Sequence, residues 1–288
     1  MPPIVLIGAN GQLGTDLQRE FPLSRELIAL THSQLDILQP TRIAAVIDEL
    51  RPEVIVNTAA FVNVELCEIE VDTAFAVNAH AVRNLAMQAD RIGAYLVHIS
   101  TDYVFDGAGH IPYVEEAPAA PLNVYGRSKL EGESHVRSLC RRHLVVRSSG
   151  LYGVAGSSGK GGNFVRTMLR VGREKGEVTV VTDQVLGPTN TVDLAQALWW
   201  LVEHEAQGIV HATNAGSCSW FDFARAIFEL SGLDVAVHPT DSARLGYRAR
   251  RPPYSVLDNA RLHALGCKPL RLWREALAAH LESIGPLT

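Results

Sequence analysis

The sequence predicts an α/β fold: a Rossmann-like, doubly wound parallel sheet with a smaller C-terminal substrate lobe. Three observations predict it. Short apolar runs alternate with helical patterns through the first half of the chain. The loop Gly8-Ala9-Asn10-Gly11-Gln12-Leu13-Gly14 follows the first apolar run and opens the first helical pattern. The length of 288 residues suits one large domain, or a dinucleotide-binding domain with a lobe attached.

Taken in order, residues 4–7, 27–30, 54–57, 95–99 and 144–147 read as strands. Residues 11–21, 41–50, 72–92 and 123–139 read as helices between them. In the third of these, Ala74, Val77, Ala81, Leu85 and Ala89 recur at helical spacing. Strands alternating with helices imply right-handed crossovers and a parallel sheet. The second half is less regular. Residues 153–162 form a Gly/Ser-rich loop, 163–173, 192–203 and 220–230 read as helices, and 178–182 as a strand. The tail over 258–281 looks helical, broken near Gly266 and Pro269. The expected division is a dinucleotide-binding domain over 1–150, to which about 185–212 returns, and a mainly substrate-binding lobe over 151–288.

Composition narrows the function classes. A net charge of −5 without a strong basic block argues against a nucleic-acid partner. No stretch approaches the ~18 apolar residues of a membrane helix. The N-terminus enters a strand directly, without the basic region and cleavage site of a signal peptide. Cys67, Cys140, Cys218 and Cys267 are scattered, which reads as reduced thiols and a cytoplasmic location.

The glycine loop has a chemical reason. The turn is tight, the backbone must approach a pyrophosphate, and the helix must pack close to the strand. The helix N-terminus then offers free N–H groups to phosphate. Gly8, Asn10, Gly11, Gln12, Leu13 and Gly14 are the expected cofactor contacts. A glycine turn without a ligand is the bland alternative. At the end of the second strand stand Leu30-Thr31-His32-Ser33, with no carboxylate to repel a 2′-phosphate. That favours NADPH, with His32 or Ser33 as the contact, and leaves NADH open. Asp36 and Ile37 follow, facing the adenine, or, for Asp36, capping the helix before Pro40. Ala59 and Ala60, small residues after the third strand, let the cofactor pass.

Tyr125 and Lys129 stand at i and i+4 and share a helix face. A phenol of ordinary pKa near 10 is a sluggish acid at neutral pH, and a nearby ammonium lowers that pKa. Thr101, at the C-terminal end of the fourth strand, can bond the same substrate oxygen. The three are the chemical minimum for carbonyl reduction by hydride from nicotinamide. Tyr125 and Lys129 also count among the cofactor contacts. The alternative is a surface helix pair with a capping Thr.

These residues carry a resemblance. The chain resembles the extended short-chain dehydrogenase/reductases and, more narrowly, the dTDP-4-dehydrorhamnose reductase family. The glycine loop, the run from Arg51 to Ala60, and Ser100-Thr101-Asp102-Tyr103-Val104-Phe105-Asp106-Gly107 support it. Pro121 to Gly126, Gly162-Asn163-Phe164, Asp183-Gln184 with Gly187-Pro188-Thr189, Cys218-Ser219-Trp220 and Arg251-Pro252 extend it over nearly the whole chain. The resemblance implies reduction at C4 of dTDP-6-deoxy-L-lyxo-4-hexulose to dTDP-L-rhamnose. It implies that Tyr125 protonates the alkoxide, Lys129 tunes Tyr125 and holds the nicotinamide ribose, and Thr101 bonds the sugar oxygen. Asp102 and Tyr103 would help hold the sugar. Asn163 and Arg251 would serve the nucleotide diphosphate, or else act as a loop cap and a surface ion pair.

The chain also departs from the family. Gly150 stands where an aromatic is common, leaving room for another sugar or for a neighbouring side chain. Leu66 replaces a frequent Lys. The loop ending at Lys160 is a candidate cover for the site. Some members bind Mg2+ at a dimer contact, and Asp16 falls where one such acid would stand. No partners for it are evident in the sequence, so no metal ligand is assigned. No His/Cys spacing suits zinc. A homodimer is a further expectation, and Trp199-Trp200 reads as core or subunit packing. Two other functions remain open: another nucleotide-deoxysugar reductase or epimerase, and a regulatory protein resembling the methionine adenosyltransferase β subunit.

Overall fold

The computed structural model describes residues 2–22, 25–156 and 162–285. Its strands in chain order are β1 (Ile4–Ile7), β2 (Leu27–Leu30), β3 (Val54–Asn57), β4 (Tyr95–Thr101), β5 (His143–Ser148), β6 (Leu151–Tyr152), β7 (Glu177–Val181), β8 (Val185–Leu186), β9 (Thr189–Asn190), β10 (Gly208–His211), β11 (Cys218–Ser219) and β12 (Ala236–Thr240). Its α-helices are α1 (Gln12–Arg19), α2 (Pro40–Leu50), α3 (Val64–Cys67), α4 (Val71–Phe75), α5 (Ala81–Ile92), α6 (Val124–Leu139), α7 (Phe164–Lys175), α8 (Thr191–Glu203), α9 (Trp220–Ser231), α10 (Ala260–Ala264) and α11 (Trp273–Ile284).

Six parallel strands form the main sheet in the order β10-β5-β4-β3-β1-β2. The chain turns outward from β1 to β2, then crosses back to β3 on the other side of β1. The crevice at that reversal, beyond the strand C-termini, is where doubly wound sheets hold ligands. Both faces are buried, so these strands are apolar at successive positions. Ile4, Leu6, Val54 and Val56 pack on one face with Leu13 and Leu17 of α1 and Leu194 and Leu198 of α8. Val5, Ile7 and Ile55 pack on the other with Ile43 and Ile47 of α2 and Leu85 and Ala89 of α5. A separate core joins Val165 and Leu169 of α7, Val178 and Val180 of β7, Phe223 and Ile227 of α9, and Leu277 of α11. There β7 pairs with β12 in parallel.

Most elements fall where the sequence places them, with boundary shifts of one to three residues. The helix over 72–92 differs. It is α4, a π turn over Ala76–His80, and α5. The extra residue in that turn accompanies a set of bonds made by Asn78. Its side chain donates to the Phe61 carbonyl at 3.0 Å and to Ser128 Oγ at 3.0 Å, and accepts from the Phe61 N–H at 2.8 Å. The Asn78 carbonyl packs directly on Gly132 of α6, where a Cβ would collide with it. Such bulges commonly sit beside functional sites. The tail divides as expected, into α10 and α11.

Candidate functional site

The strand C-termini open onto a cleft of about 850 Å3. Its wall brings together residues far apart in sequence: the glycine loop, the ends of β4 and β5, the face of α6, and segments near 163, 184 and 245–251. With the exceptions of Gly14 and Ser33, each residue singled out above as a catalytic, cofactor or substrate contact borders it.

The glycine loop is shaped as its chemistry requires. Gly8 has φ +84°, and a Cβ there would stand 2.7 Å from Thr58 Oγ1 and 2.9 Å from the Ala59 nitrogen. Gly14 lies beneath the loop, and a Cβ on it would run into the Gly8 carbonyl. Gly11 caps α1 with no side-chain bond, so the first-turn N–H groups face the cleft uncapped. This cradle fits a dinucleotide pyrophosphate. At the far end of the loop's crevice, His32 is exposed and Ile37 is buried. The carboxylate of Asp36 accepts from the Leu38 N–H at 2.9 Å and from Gln39 Nε2 at 3.3 Å, closing a turn ahead of α2, whose N-cap Gln39 has no side-chain cap, so Asp36 does not cap that helix.

Asn123 starts α6 by accepting from the Gly126 N–H at 2.8 Å. The helix then carries Tyr125 and Lys129 to the end of β4. Gly126 is needed because a Cβ would collide with the Tyr103 carbonyl. Lys129 is 2% exposed, and its Nζ donates to the Ile99 carbonyl at 2.6 Å. Burial lowers its pKa to about 8, against the pull of Glu133. Burial also raises the Tyr125 phenol above its ordinary value, and the neighbouring Thr101 hydroxyl opposes this. The sequence expects an ammonium to lower this phenol. Desolvation dominates instead, and Tyr125 is a protonated donor.

Thr101 ends β4. Its hydroxyl donates to Asp102 Oδ1 at 3.1 Å and accepts from the Tyr103 N–H at 3.2 Å. Asp102 is 3% exposed and its Oδ2 accepts from Ser149 at 2.7 Å and Ser255 at 2.5 Å. Burial raises its pKa, against these hydrogen bonds. Its carboxylate thus ties β4, the end of β5 and the segment near 255 together. The ring of Tyr103 meets that of Tyr125 edge-on, with centroids 5.9 Å apart.

Asn163 caps α7, accepting from the Arg166 N–H at 3.0 Å, and donates to Gln12 Oε1 at 3.0 Å and the Gly153 carbonyl at 2.8 Å. Arg251 donates to Glu65 Oε1 at 3.1 Å and lies 3.9 Å from the ring centroid of Tyr247. Its Nε is buried without a hydrogen-bond partner. Gly150 has φ +55°, and a Cβ there would stand 2.6 Å from Leu186 Cδ1 and 3.1 Å from Pro188 Cα. The neighbouring side chain therefore crowds the position that an aromatic would occupy. Lys160 lies outside the described residues. Asp16 is fully buried and its Oδ2 accepts from Thr191 Oγ1 at 2.5 Å, joining α1 to α8. Among the described residues, no group of three acids, histidines or cysteines is placed to hold a metal ion.

The sequence reading misses Glu65, Tyr247, Leu186 and Ser255. Glu65, Tyr247 and Leu186 border the cleft, and Ser255 bonds Asp102 behind its wall. Ser149 was visible only as part of the run after β5.

Comparison with known proteins agrees with this geometry. The family described as "RmlD substrate binding domain" matches residues 1–285. Spore coat polysaccharide biosynthesis protein SpsK of Bacillus subtilis is 41% identical, covering 98% of this chain and 98% of that protein. The dTDP-4-dehydrorhamnose reductase of Mycobacterium tuberculosis is 40% identical, covering 97% of this chain and 92% of that protein. The crystal structure of Bacillus anthracis dTDP-4-dehydrorhamnose reductase in complex with NADP superimposes with a TM-score of 0.94 at 38% identity, over 98% of this chain and 99% of that one.

Proposed function

The chain belongs to the family of the RmlD substrate-binding domain, and on that premise we propose that it is an NADPH-dependent reductase of the C4 keto group of dTDP-4-dehydrorhamnose, yielding dTDP-L-rhamnose. One observation carries the reading. The Thr101 hydroxyl, the Tyr125 phenol and the Lys129 amine open on the same cleft as the glycine cradle.

The residues divide the work as follows. The N–H groups at Gln12 and Leu13 take the pyrophosphate, with Gly8, Asn10, Gly11 and Gly14 shaping the turn; the Gly11 N–H closes it onto the Gly8 carbonyl at 2.9 Å. His32, Asp36 and Ile37 border the adenosine end, and Ala59 and Ala60 leave room for the cofactor. The nicotinamide, when bound, supplies the hydride. Tyr125 gives its proton to the oxygen of the reacting carbonyl, and Thr101 bonds that oxygen. Lys129 holds the nicotinamide ribose and sets the charge beside Tyr125. Asp102 holds Thr101 in place, and Tyr103 borders the sugar. Arg251 faces the diphosphate, supported by its unpartnered Nε, while Asn163, whose amide is engaged by Gln12, Gly153 and Arg166, caps α7 at that wall of the cleft. In this reading residues 1–150, rejoined by 185–212, bind the cofactor, and 151–288 mainly bind the sugar nucleotide. The protein works in the cytoplasm as a homodimer. Among the described residues, no helix is long and apolar enough to cross a membrane.

The test is oxidation of NADPH and NADH, followed by nicotinamide absorbance, with enzymatically made dTDP-6-deoxy-L-lyxo-4-hexulose. Stoichiometric oxidation with dTDP-L-rhamnose identified by NMR supports the reading. Sugar turnover without net oxidation points to an epimerase. Tight cofactor binding with no turnover points to another sugar or to a regulatory protein.

A further inference from the structure

Between β12 and Arg251 the chain crosses the rim of the cleft as a strap held at both ends. At one end the Asp183 carboxylate accepts from the Ser242 N–H at 2.9 Å and from Ser242 Oγ at 2.8 Å, and Gln184 Nε2 donates to that Oγ at 2.7 Å. At the other, Glu65 Oε2 accepts the Arg248 N–H at 2.9 Å, Asn123 Nδ2 donates to the Arg250 carbonyl at 2.7 Å, and Ala249 is buried. Between these anchors the strap turns at Gly246, whose φ of +62° suits glycine.

Two large side chains of the strap, Leu245 and Tyr247, border the cleft although they are 39% and 38% exposed. Apolar side chains scattered over a surface need no partner, but these stand two residues apart on the wall of a ligand cleft. The Arg251 guanidinium lies 3.9 Å from the Tyr247 ring centroid, which puts it over one face of the ring. Among the described residues, no other ring lies against Tyr247, so its second face is open.

The place of Tyr247 along the wall says what lies on that face. Tyr125 stands at the reacting carbonyl, and the ring of Tyr103 meets it edge-on at 5.9 Å. Burial raises the Tyr103 phenol and the charge of Arg251 opposes this, so Arg251 is within electrostatic reach of Tyr103. Arg251 in turn covers Tyr247. From the reacting end the order is Tyr125, Tyr103, Arg251, Tyr247. A sugar nucleotide runs in the same order, from keto sugar through diphosphate to ribose and base.

We propose that Tyr247 is a substrate-binding residue that stacks the pyrimidine base of the sugar nucleotide on its open ring face, with Leu245 closing the strap over the nucleoside. The proposal rests on the reductase reading, which puts the diphosphate at Arg251. Guanidinium, phenol ring and base then form one stack, and the guanidinium holds the ring in place before the ligand arrives. Two other aromatic side chains on the wall are already engaged. Phe164 and Trp220 have centroids 4.4 Å apart, and both pack on Phe223 in the core of the lobe.

The test is equilibrium binding to the full chain with NADPH bound. The probes are dTDP and 2-deoxyribose 5-diphosphate, which lacks the base. Tyr247→Ala should weaken dTDP about fivefold or more, the usual loss of one base–aromatic stack, and leave the base-free probe within about twofold. Tyr247→Phe keeps the ring and should bind dTDP as the unaltered chain does. Equal losses for both probes would mean that Tyr247 merely supports Arg251, and they would overturn the proposal. Unchanged dTDP affinity in Tyr247→Ala would overturn it as well. Bound dTDP, unlike the base-free probe, should slow tryptic cleavage after Arg244, the residue before Leu245. Equal cleavage with and without dTDP would remove Leu245 from the closure. Binding needs no turnover, so the two readings fail separately. A base-dependent loss in a protein that reduces no dTDP-sugar sinks the reductase reading alone. No such loss in an active reductase sinks this inference alone, and an NADPH-bound chain that takes no dTDP sinks both.

Discussion

Glu65 and Arg251, 186 residues apart in the chain, pair at 3.1 Å on the rim of the cleft. The second oxygen of Glu65 accepts the Arg248 N–H at 2.9 Å. Burial raises the Glu65 pKa, but these bonds outweigh it and hold the carboxyl below its usual value. Arg251 is thus pinned on one side while its buried Nε has no partner. A guanidinium presents a rigid planar fork that can bond the Glu65 carboxylate and a diphosphate together, whereas a lysine ammonium lacks that fork geometry. We predict that Arg251→Lys raises KM for the sugar nucleotide about tenfold, roughly one charge-assisted hydrogen bond, with kcat within a few-fold. Steady-state kinetics check this, and an unchanged KM removes Arg251 from substrate binding.

Tyr125→Phe deletes the proton donor and keeps the ring that packs edge-on against Tyr103. General acid catalysis is worth about 10² to 10⁴, so kcat should fall in that range while NADPH affinity stays within a few-fold. Turnover close to that of the unaltered protein would mean that another group protonates the alkoxide.

The parts of the fold legible in the sequence share a cause. Buried parallel strands are continuous apolar runs, and the glycine loop is a local backbone requirement, so both leave signals within a dozen residues. The π turn left none, because Asn78 sits at an ordinary helical position and its reason lies in Phe61 and Ser128. Ser255 and Glu65 were equally silent. Each matters through bonds to residues more than 150 positions away, Ser255 to Asp102 and Glu65 to Arg248 and Arg251. The Tyr125 environment escapes the sequence for a related reason. Spacing shows that Lys129 is near, but not how completely the pair is desolvated.

Gly150 tests how the cleft wall is filled. Alanine there meets two costs, the left-handed φ of +55° and the 2.6 Å approach to Leu186 Cδ1. Together these should destabilise Gly150→Ala by about 2 to 3 kcal/mol. Leu186→Ala removes the obstacle but leaves the strain, so in chemical denaturation the double variant should be more stable than the sum of the single losses by about 1 kcal/mol. Strict additivity would show that Leu186 is not what excludes a side chain at position 150.

Acid should weaken the fold through histidines held neutral. His280 packs its ring 5.3 Å from that of Tyr152, and burial, aided by the charge of Arg166, lowers its pKa to about 4. A base whose folded pKa is depressed binds its proton more readily when unfolded. Its contribution is therefore complete above the unfolded pKa of ~6.5 and is lost as pH falls toward the folded value. At pH 5 the loss is about 2 kcal/mol for one such histidine. His211, lowered to about 3 by burial and the charge of Arg147, acts in the same sense. Asp102 and Glu115, whose carboxyls burial raises, act in the opposite sense, so the bare pH curve is ambiguous. His280→Gln isolates one contribution. Between about pH 7.5 and pH 5 the unaltered protein should lose about 2 kcal/mol more stability than the variant. Parallel curves in urea denaturation would mean that His280 titrates alike in the folded and unfolded chains.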